Sequence, residues 1–145
     1  MKGLIQRVKS ASVSVSEETV ARIDTGILLL LGIEKSDDAL DVEKLARKVF
    51  NYRIFPDADG KMNKSLTDIN GELLVVSQFT LVADTAKGNR PGFSKGASPA
   101  HGAHIYEAFI EHVGSEYGEC QSGVFGADMA VSLVNDGPVT FWIET

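Results

Sequence analysis

The sequence predicts a single α/β domain, and three observations lead to that fold class. Its 145 residues have the size of one domain, and the 43% of hydrophobic side chains are enough to build one core. Apolar residues follow the period of strands near both ends of the chain. Two stretches between those ends follow the period of an amphipathic helix. We therefore expect residues 1–145 to form one domain with two main helices.

The opening of the chain predicts strands only. Val13 and Val15 alternate with serines, which is typical of a half-buried strand. The run between Gly26 and Gly32 is wholly aliphatic, which indicates a strand that is buried on both faces.

From Ser36 the apolar period becomes that of a helix. Residues spaced along one helix face are apolar, namely Val42, Leu45, Ala46, Val49 and Phe50. Aspartates at positions 37, 38 and 41 lie at the amino end of this segment, where the helix dipole favours anions. One amphipathic helix is expected here.

A long strand is predicted in the middle of the chain, from Glu72 to Val82. The dipeptides Asp59-Gly60 and Asn70-Gly71 before it are suited to tight hairpin turns. Within this strand, alternation places Gln78 and Thr80 on an otherwise apolar face. An unpaired buried amide or hydroxyl costs about 1–3 kcal/mol, so the two side chains either pair in the core or line a cavity. The residues alone favour the core.

The last third of the chain predicts a helix and two strands. Residues 84–97 form a glycine-rich loop, and Ser98-Pro99 favours a helix start, with an apolar stripe that continues to a stop near Gly118. The strands 129–134 and 139–143 flank Asn135-Asp136-Gly137-Pro138. Because most X-Pro bonds are trans, we expect an ordinary turn there. The alternative is a cis proline after glycine, which would fix two main-chain carbonyl oxygens as an acceptor pair.

The net charge of −6, from 14 Lys and Arg against 20 Asp and Glu, is unevenly distributed. Residues 1–104 carry all 14 basic and 13 acidic side chains, whereas residues 105–145 carry 7 acidic side chains and no basic one, which gives +1 and −7. A polyanion would therefore approach the first two thirds of the chain. The basic residues that precede the first acid, or that share the glycine-rich loop, are Lys2, Arg7, Lys9, Lys87, Arg90 and Lys95.

The cysteine content and the lack of a long apolar run favour a cytoplasmic protein. Cys120 is the only cysteine, so neither an internal disulfide nor a multi-cysteine zinc site can form. No signal-peptide core follows Met1. The longest apolar run, 27–31, is far shorter than the roughly 20 residues of a membrane helix.

Short motifs that suggest other chemistry lack the surroundings they need. Gly92-Phe93-Ser94-Lys95-Gly96 matches a nucleophile elbow, but no buried strand precedes Ser94 and no histidine follows His112. The segment 57–60 lacks the glycine and glutamate positions of a calcium loop. The helical row of His104, Glu107 and Glu111 normally faces water. Neither a dinucleotide fingerprint nor a Walker loop is present, so we expect no cofactor and no metal site.

Two distant motifs together resemble those of one family. They are Ser77-Gln78-Phe79-Thr80-Leu81 and Asn135-Asp136-Gly137-Pro138-Val139-Thr140. The segments 5–8, 52–63 and 90–99 also resemble the family at matching positions. The family is the D-aminoacyl-tRNA deacylases, formerly called D-tyrosyl-tRNA deacylases. The resemblance extends over the whole chain, with no departure at a motif position.

The resemblance implies a homodimer with a three-layer β/β/α fold, mixed sheets and an active site at the subunit interface. It implies that Ser77, Gln78, Phe79 and Thr80 of one subunit bind the aminoacyl end of tRNA.

The other subunit would contribute Gly137 and Pro138, joined by a cis peptide bond, as a chiral filter, and Arg7 would hold this filter in orientation. A filter that reads the arrangement about Cα excludes L side chains and accepts many D-amino acids. It would also admit glycine, so mischarged glycyl-tRNA is an expected second substrate.

The implied reaction is hydrolysis of the ester between a D-amino acid and the terminal adenosine of tRNA, a proofreading step of translation. This ester is labile, so positioned water and the main-chain N–H groups of Phe79 and Thr80 would suffice without a triad. Activation of water by the adenosine 2′-hydroxyl is favoured over attack by Thr80, because no base for that hydroxyl is evident.

The tRNA is expected to lie over the basic amino-terminal strand and over Lys87, Arg90 and Lys95. Two other classes of function remain open. One is a non-catalytic module that binds an RNA end or a nucleotide, and the other is a small esterase that uses Ser94.

Overall fold

The structure, a computed structural model, describes residues 1–145 and has the predicted α/β fold with a mixed sheet. Its strands are β1 Lys2–Val15, β2 Glu18–Ile23, β3 Gly26–Gly32, β4 Phe55–Pro56, β5 Met62–Lys64, β6 Glu72–Ser77, β7 Gln121–Ser122 and β8 Ala130–Glu144. Its helices are α1 Ala39–Asn51, α2 Leu66–Ile69 and α3 Pro99–Glu116, and a 3-10 turn spans Phe79–Val82. The two main helices are those expected, and α2 is a single additional turn.

The main sheet is organised around β1, which is long enough to pair with three strands. The strand order is β2-β1-β3-β6-β7, and β8 also pairs with β1. The first half of β1 lies between β3 and the end of β8, and its second half lies between β2 and the start of β8. The β3–β6 and β6–β7 pairs are parallel, and the other pairs of this sheet are antiparallel.

Two hydrophobic cores on opposite faces of β3 and β6 give the molecule three layers. Leu29 and Val75 face the larger core, which α1 and α3 cover, whereas Leu28 and Leu74 face a smaller core. The smaller core is closed by β2 and the second half of β1, because the sheet curls until β2 contacts β6 and β7. The run between Gly26 and Gly32 is therefore buried on both faces, as predicted.

Helix α1 follows its predicted pattern. All five apolar residues of the predicted stripe are buried. Asp38 caps the amino end and forms a capping box with Asp41, whose pKa is lowered chiefly by a hydrogen bond with the Thr145 side chain. Asp37 is not a cap: it is buried and accepts a hydrogen bond from the Met1 ammonium at 2.7 Å.

The predicted central strand is too long. Strand β6 ends at Ser77, where Gln78 adopts φ −141° and ψ 79° and leads into the 3-10 turn. The alternation of faces therefore stops before Gln78 and Thr80. Thr80 is exposed and Gln78 is half-buried, so the expectation of a core amide–hydroxyl pair is wrong in its location.

One of the two predicted hairpin turns is confirmed. Asp59-Gly60 joins β4 to β5, where the Asp57 carboxylate accepts from the N–H groups of residues 59 and 61. Asn70, in contrast, is the left-handed cap of α2 and donates to the carbonyls of residues 66 and 67. A capping box between Ser65 and Asp68 stabilises this turn of helix, so Asn70-Gly71 ends a helix and does not close a hairpin.

The carboxyl-terminal segment differs from its prediction. The two expected strands are halves of β8, which both pair with β1, so no reversal separates them. Val8 pairs with Asn135 and Gln6 with Thr140, so residues 136–139 oppose Arg7 alone and form a bulge. The bond between Gly137 and Pro138 is cis. The expectation of an ordinary trans turn is therefore wrong, and the cis proline that the resemblance implies is confirmed. No helix is both long enough and apolar enough to cross a membrane.

Candidate functional site

The segment from Ser77 to Thr80 lies at the end of β6, where the strand gives way to the 3-10 turn. The N–H of Gln78 donates to the carbonyl of Leu31 at 2.7 Å and anchors the segment to β3. Phe79 is 67% exposed and lies against the ring of Phe93, with 5.1 Å between the ring centroids. Such an exposed aromatic side chain is free to contact a ligand.

Two main-chain donors in this segment are left free. In the 3-10 turn the N–H groups of Leu81 and Ala83 donate to the carbonyls of Gln78 and Thr80. The N–H groups of Phe79 and Thr80 come first in the turn and have no acceptor within it. Adjacent free N–H groups are suited to hold an oxyanion.

The Gln78 amide and the Thr80 hydroxyl are hydrogen-bonded to each other. The pairing predicted from the sequence is therefore present, although it lies at the surface. The hydroxyl has no other side-chain partner, and an amide does not accept a proton at neutral pH. No base in the chain is in place to activate Thr80 as a nucleophile.

A cavity of about 400 Å³ opens beside this segment. Ser77 and Phe79 line one side of it, and Pro99 and Gly102 at the start of α3 also belong to the lining, which is mostly apolar. The volume is in the range of small-molecule sites. Gln78 and Thr80 do not line this cavity.

Phe125 and Met129 line the cavity as well, although neither belongs to a motif or to a predicted site. A Cβ built on Gly102 would lie 3.1 Å from Cζ of Phe125, so the glycine makes room for the ring. The signal in the sequence is an aromatic residue inside the glycine-containing stretch 123–126, between a helix and a strand. That signal is too weak to find the cavity without the fold.

The bulge of β8 is held by Arg7. Its Nε donates to the main-chain carbonyl of Asp136 at 3.0 Å, and its Nη1 donates to the carbonyl of Ile54 at 2.6 Å. The Asp136 carboxylate lies 3.4 Å from Nε. Gly137 has φ 130°, and a Cβ there would lie 2.7 Å from Cγ2 of Val139 and 3.0 Å from Nη2 of Arg7. Only glycine fits between these neighbours.

Within one chain the two motifs are far apart. Ser77 of β6 pairs with Leu31 of β3, and Leu31 pairs with Gly3 of β1. Gly137 lies in the bulge of β8, opposite Arg7 of β1. Three strand spacings of about 4.8 Å therefore separate the two motifs across the sheet, roughly 14 Å before the offset along the strands is added. One chain therefore contains two separate groups of predicted site residues. One is the segment 77–80, and the other is Arg7 with Gly137 and Pro138.

The basic loop from 84 to 97 connects the 3-10 turn to α3 and borders the cavity through Ala97. Lys87, Arg90 and Lys95 are all exposed. The loop is tied by paired main-chain bonds between Asp84 and Gly92. Its cations are therefore presented on an ordered segment.

Ser94 lies in this loop, with neither a strand directly before it nor a helix directly after it. Its hydroxyl has no histidine or carboxylate partner, which agrees with the rejection of an elbow. No group of three or more His, Cys, Asp or Glu side chains has the geometry to hold a metal ion. Burial raises the pKa of the Cys120 thiol, so this thiol is held in its neutral form.

Comparisons with known proteins identify the family of the chain. The family model described as D-Tyr-tRNA(Tyr) deacylase matches residues 4–144. The chain is 57% identical to a D-aminoacyl-tRNA deacylase of Alteromonas mediterranea and 60% identical to one of Pseudoalteromonas atlantica, over 97% of each chain in both cases. A solved structure named c-Myc DNA Unwinding Element Binding Protein matches with TM-score 0.95 and 40% identity, over 100% of this chain and 99% of that one. The chain belongs to the D-Tyr-tRNA(Tyr) deacylase family.

Proposed function

We propose that this protein hydrolyses the ester of D-aminoacyl-tRNA to free tRNA and the D-amino acid, and so acts in the cytoplasm as a proofreading enzyme of translation. Two relatives that are named D-aminoacyl-tRNA deacylase are 57% and 60% identical in sequence to this chain, over 97% of its length. The single observation in the structure that carries the proposal is the free N–H pair of Phe79 and Thr80 beside the cavity.

A second copy of the chain completes the site. The chain's own Gly137 and Pro138 are too far from Ser77 to reach the cavity, as the strand register requires. Strand β8 pairs only with β1 and exposes large apolar side chains, among them Val134 at 53% and Trp142 at 45%. An exposed apolar edge of this kind favours association. A homodimer would bury this face and bring each filter to the other subunit's pocket.

Gly137 and Pro138 of the second copy act as the chiral filter. Arg7 fixes the carbonyl of Asp136, and the Asn135 side chain accepts from the N–H of Val139 at 3.0 Å, so the bulge is held from both sides. A rigid main chain tests the arrangement about Cα and does not read the side chain. L-aminoacyl esters are excluded, many D-aminoacyl esters are accepted, and mischarged glycyl-tRNA is also cleaved.

Catalysis depends on positioning. The carbonyl oxygen of the ester accepts from the N–H groups of Phe79 and Thr80, which stabilise its negative charge as water attacks. The adenosine 2′-hydroxyl takes part in activating that water. Thr80 does not attack, because its hydroxyl contacts only the Gln78 amide. Lys87, Arg90 and Lys95 contact the phosphates of the bound tRNA near the cavity.

Deacylation of D-Tyr-tRNA and L-Tyr-tRNA, measured side by side, tests the proposal. We expect the D-ester to be cleaved far faster than in buffer and the L-ester to be spared. A binding module without turnover would bind the tRNA and leave both esters intact. An esterase that uses Ser94 would cleave both esters and would lose activity in Ser94→Ala. Either of those results would overturn the proposal.

A further inference from the structure

An open basic groove lies along the carboxyl-terminal half of α1, outside the site described above. Its volume is about 540 Å³, and seven residues line it, namely Lys44, Arg47, Lys48, Asn51, Tyr52, Glu144 and Thr145. The three bases lie within one helical turn of one another, on the exposed face of α1. In a chain of net charge −6, this groove is a local concentration of positive charge.

The three bases of the groove outnumber their acidic neighbours, which are Glu144 in the lining and Asp41 one turn before Lys44 on α1. None of the three bases forms an ion pair with a carboxylate. Lys48 donates to the main-chain carbonyl of Glu144 at 3.3 Å. The Glu144 carboxylate, at the rim of the groove, accepts from the Trp142 indole at 2.6 Å and lies 3.9 Å from the Lys2 ammonium. Lys44 and Arg47 therefore remain available to an anionic ligand.

The groove is connected to the bulge that carries Gly137. The ring of Tyr52 meets that of Phe141 edge to face, with 5.4 Å between the centroids. Phe141 follows Pro138 on β8 by three residues, about 10 Å of strand. Arg7 bonds the carbonyl of Ile54, two residues after Tyr52, as well as that of Asp136. In the proposed homodimer, the bulge of one subunit enters the pocket of the other. The groove of the first subunit would therefore lie close to that pocket.

We propose that the groove binds phosphates of the acceptor stem of the tRNA whose 3′ end lies in the partner's pocket. The inference rests on the proposed function. Arginine and lysine are the side chains that bind phosphates, and three of them in one turn suit a run of phosphates better than a single anion. The filter and the groove of one subunit would then hold a tRNA that is hydrolysed in the other.

The variant Lys44→Ala/Arg47→Ala tests this proposal and leaves Lys48, which has a structural contact. The matched control is Arg22→Ala/Lys61→Ala, because these two bases are also exposed, form no ion pair and lie outside the groove. The kcat and KM are measured for D-Tyr-tRNA over a range of salt concentrations, and for D-tyrosyl-adenosine, which has no stem.

In the groove variant we expect KM for D-Tyr-tRNA to be about tenfold higher, with little change in kcat. The slope of log(kcat/KM) against the logarithm of the salt concentration should be smaller in magnitude by about 2. Activity on D-tyrosyl-adenosine and the kinetics of the control variant should stay unchanged. An unchanged KM and salt dependence, an equal loss on D-tyrosyl-adenosine, or an equal loss in the control would overturn the proposal.

Direct binding of uncharged tRNA separates this inference from the proposed function. Weaker tRNA binding by the groove variant supports the groove even where the wild type hydrolyses no ester, a result that would refute only the proposed function. Groove-dependent binding of a DNA duplex that is tighter than that of tRNA would overturn the assignment to tRNA.

Discussion

Arg7 and Asp136 are joined by a hydrogen bond of 3.0 Å from Nε of the arginine to the main-chain carbonyl that precedes Gly137. The two residues are 129 positions apart in the chain, so the first strand fixes the conformation of the last. The guanidinium also donates to the main-chain carbonyl of Ile54, and only 11% of the Arg7 side chain is exposed. Its two fixed bonds make the bulge of β8 rigid.

Substitution Arg7→Lys or Arg7→Ala should therefore reduce chiral selectivity. A lysine cannot form both bonds with a planar fork, and alanine leaves two carbonyls unpaired at a cost of about 1–3 kcal/mol in the free energy of unfolding. We expect the ratio of D- to L-Tyr-tRNA cleavage to fall at least about tenfold, an amount equivalent to roughly 1.4 kcal/mol. The exposed Arg22→Ala serves as the control. An unchanged ratio in both Arg7 variants would separate Arg7 from the filter.

The role of Thr80 is decided by a pair of changes, one in the protein and one in the substrate. Thr80→Ala should keep its kcat within about tenfold of the wild type, because the hydroxyl contacts only the Gln78 amide. Replacing the terminal adenosine by its 2′-deoxy form should slow the reaction by about 100-fold or more. The opposite pattern would mean that Thr80 is the nucleophile.

Gly102 offers a test of the cavity. A Cβ at this position meets the Phe125 ring at 3.1 Å, so the branched side chain of Gly102→Val would push the ring into the cavity. Gly114→Val is the matched control on the same helix, since a Cβ there has no neighbour within 4 Å. Single-turnover assays should show a loss of more than about tenfold for the first variant only. Equal activity in the two variants would mean that substrate does not use this cavity.

The buried hydroxyl of Tyr106 should make the protein less stable at alkaline pH. This hydroxyl donates to the carbonyl of Val75 at 2.9 Å, and burial raises its pKa from 10.0 to about 12. The folded state keeps a proton that the unfolded state loses, so this contribution is complete below pH 10 and is lost as the pH rises toward 12. The wild type should be more stable than Tyr106→Phe by about 1 kcal/mol at neutral pH. Urea unfolding at a series of pH values should show that the difference in the free energy of unfolding between the two proteins narrows above pH 10. A difference that stays constant with pH would contradict this prediction.

The elements with a clear apolar period could be predicted from the sequence, and those governed by distant contacts could not. The apolar faces of α1 and the doubly buried strand β3 agree with prediction because burial alone determines their pattern. The end of β6 at Ser77 could not be predicted, because Phe79, Thr80 and Val82 beyond it are residues that strands also favour. The bulge of β8 depends on Arg7, Ile54 and Asn135, which are remote in sequence from Gly137 or bond across it.

The candidate site divides in the same way. The motif residues could be named from the sequence, but the cavity wall at Phe125 and Met129 could not, because it is formed where the segment after α3 meets β6. The basic groove on α1 was hidden for a different reason. Lys44, Arg47 and Lys48 look like the ordinary solvated face of a helix until the packing of β8 beside them is known.

Mixed dimers test most directly the claim that each site takes its pocket from one subunit and its filter from the other. The pocket variant is Gly102→Val. The filter variant is Gly137→Ala, whose Cβ would lie 2.7 Å from Val139, so the bulge has to move and would obstruct the partner's pocket for the D-ester as well. Dimers with one subunit of each kind, isolated by two different affinity tags, should regain about half of the wild-type D-Tyr-tRNA deacylase activity, because one of their two sites is intact. Dimers of either variant alone should be nearly inactive. Mixed dimers that form and remain as inactive as the two parent dimers would contradict the account.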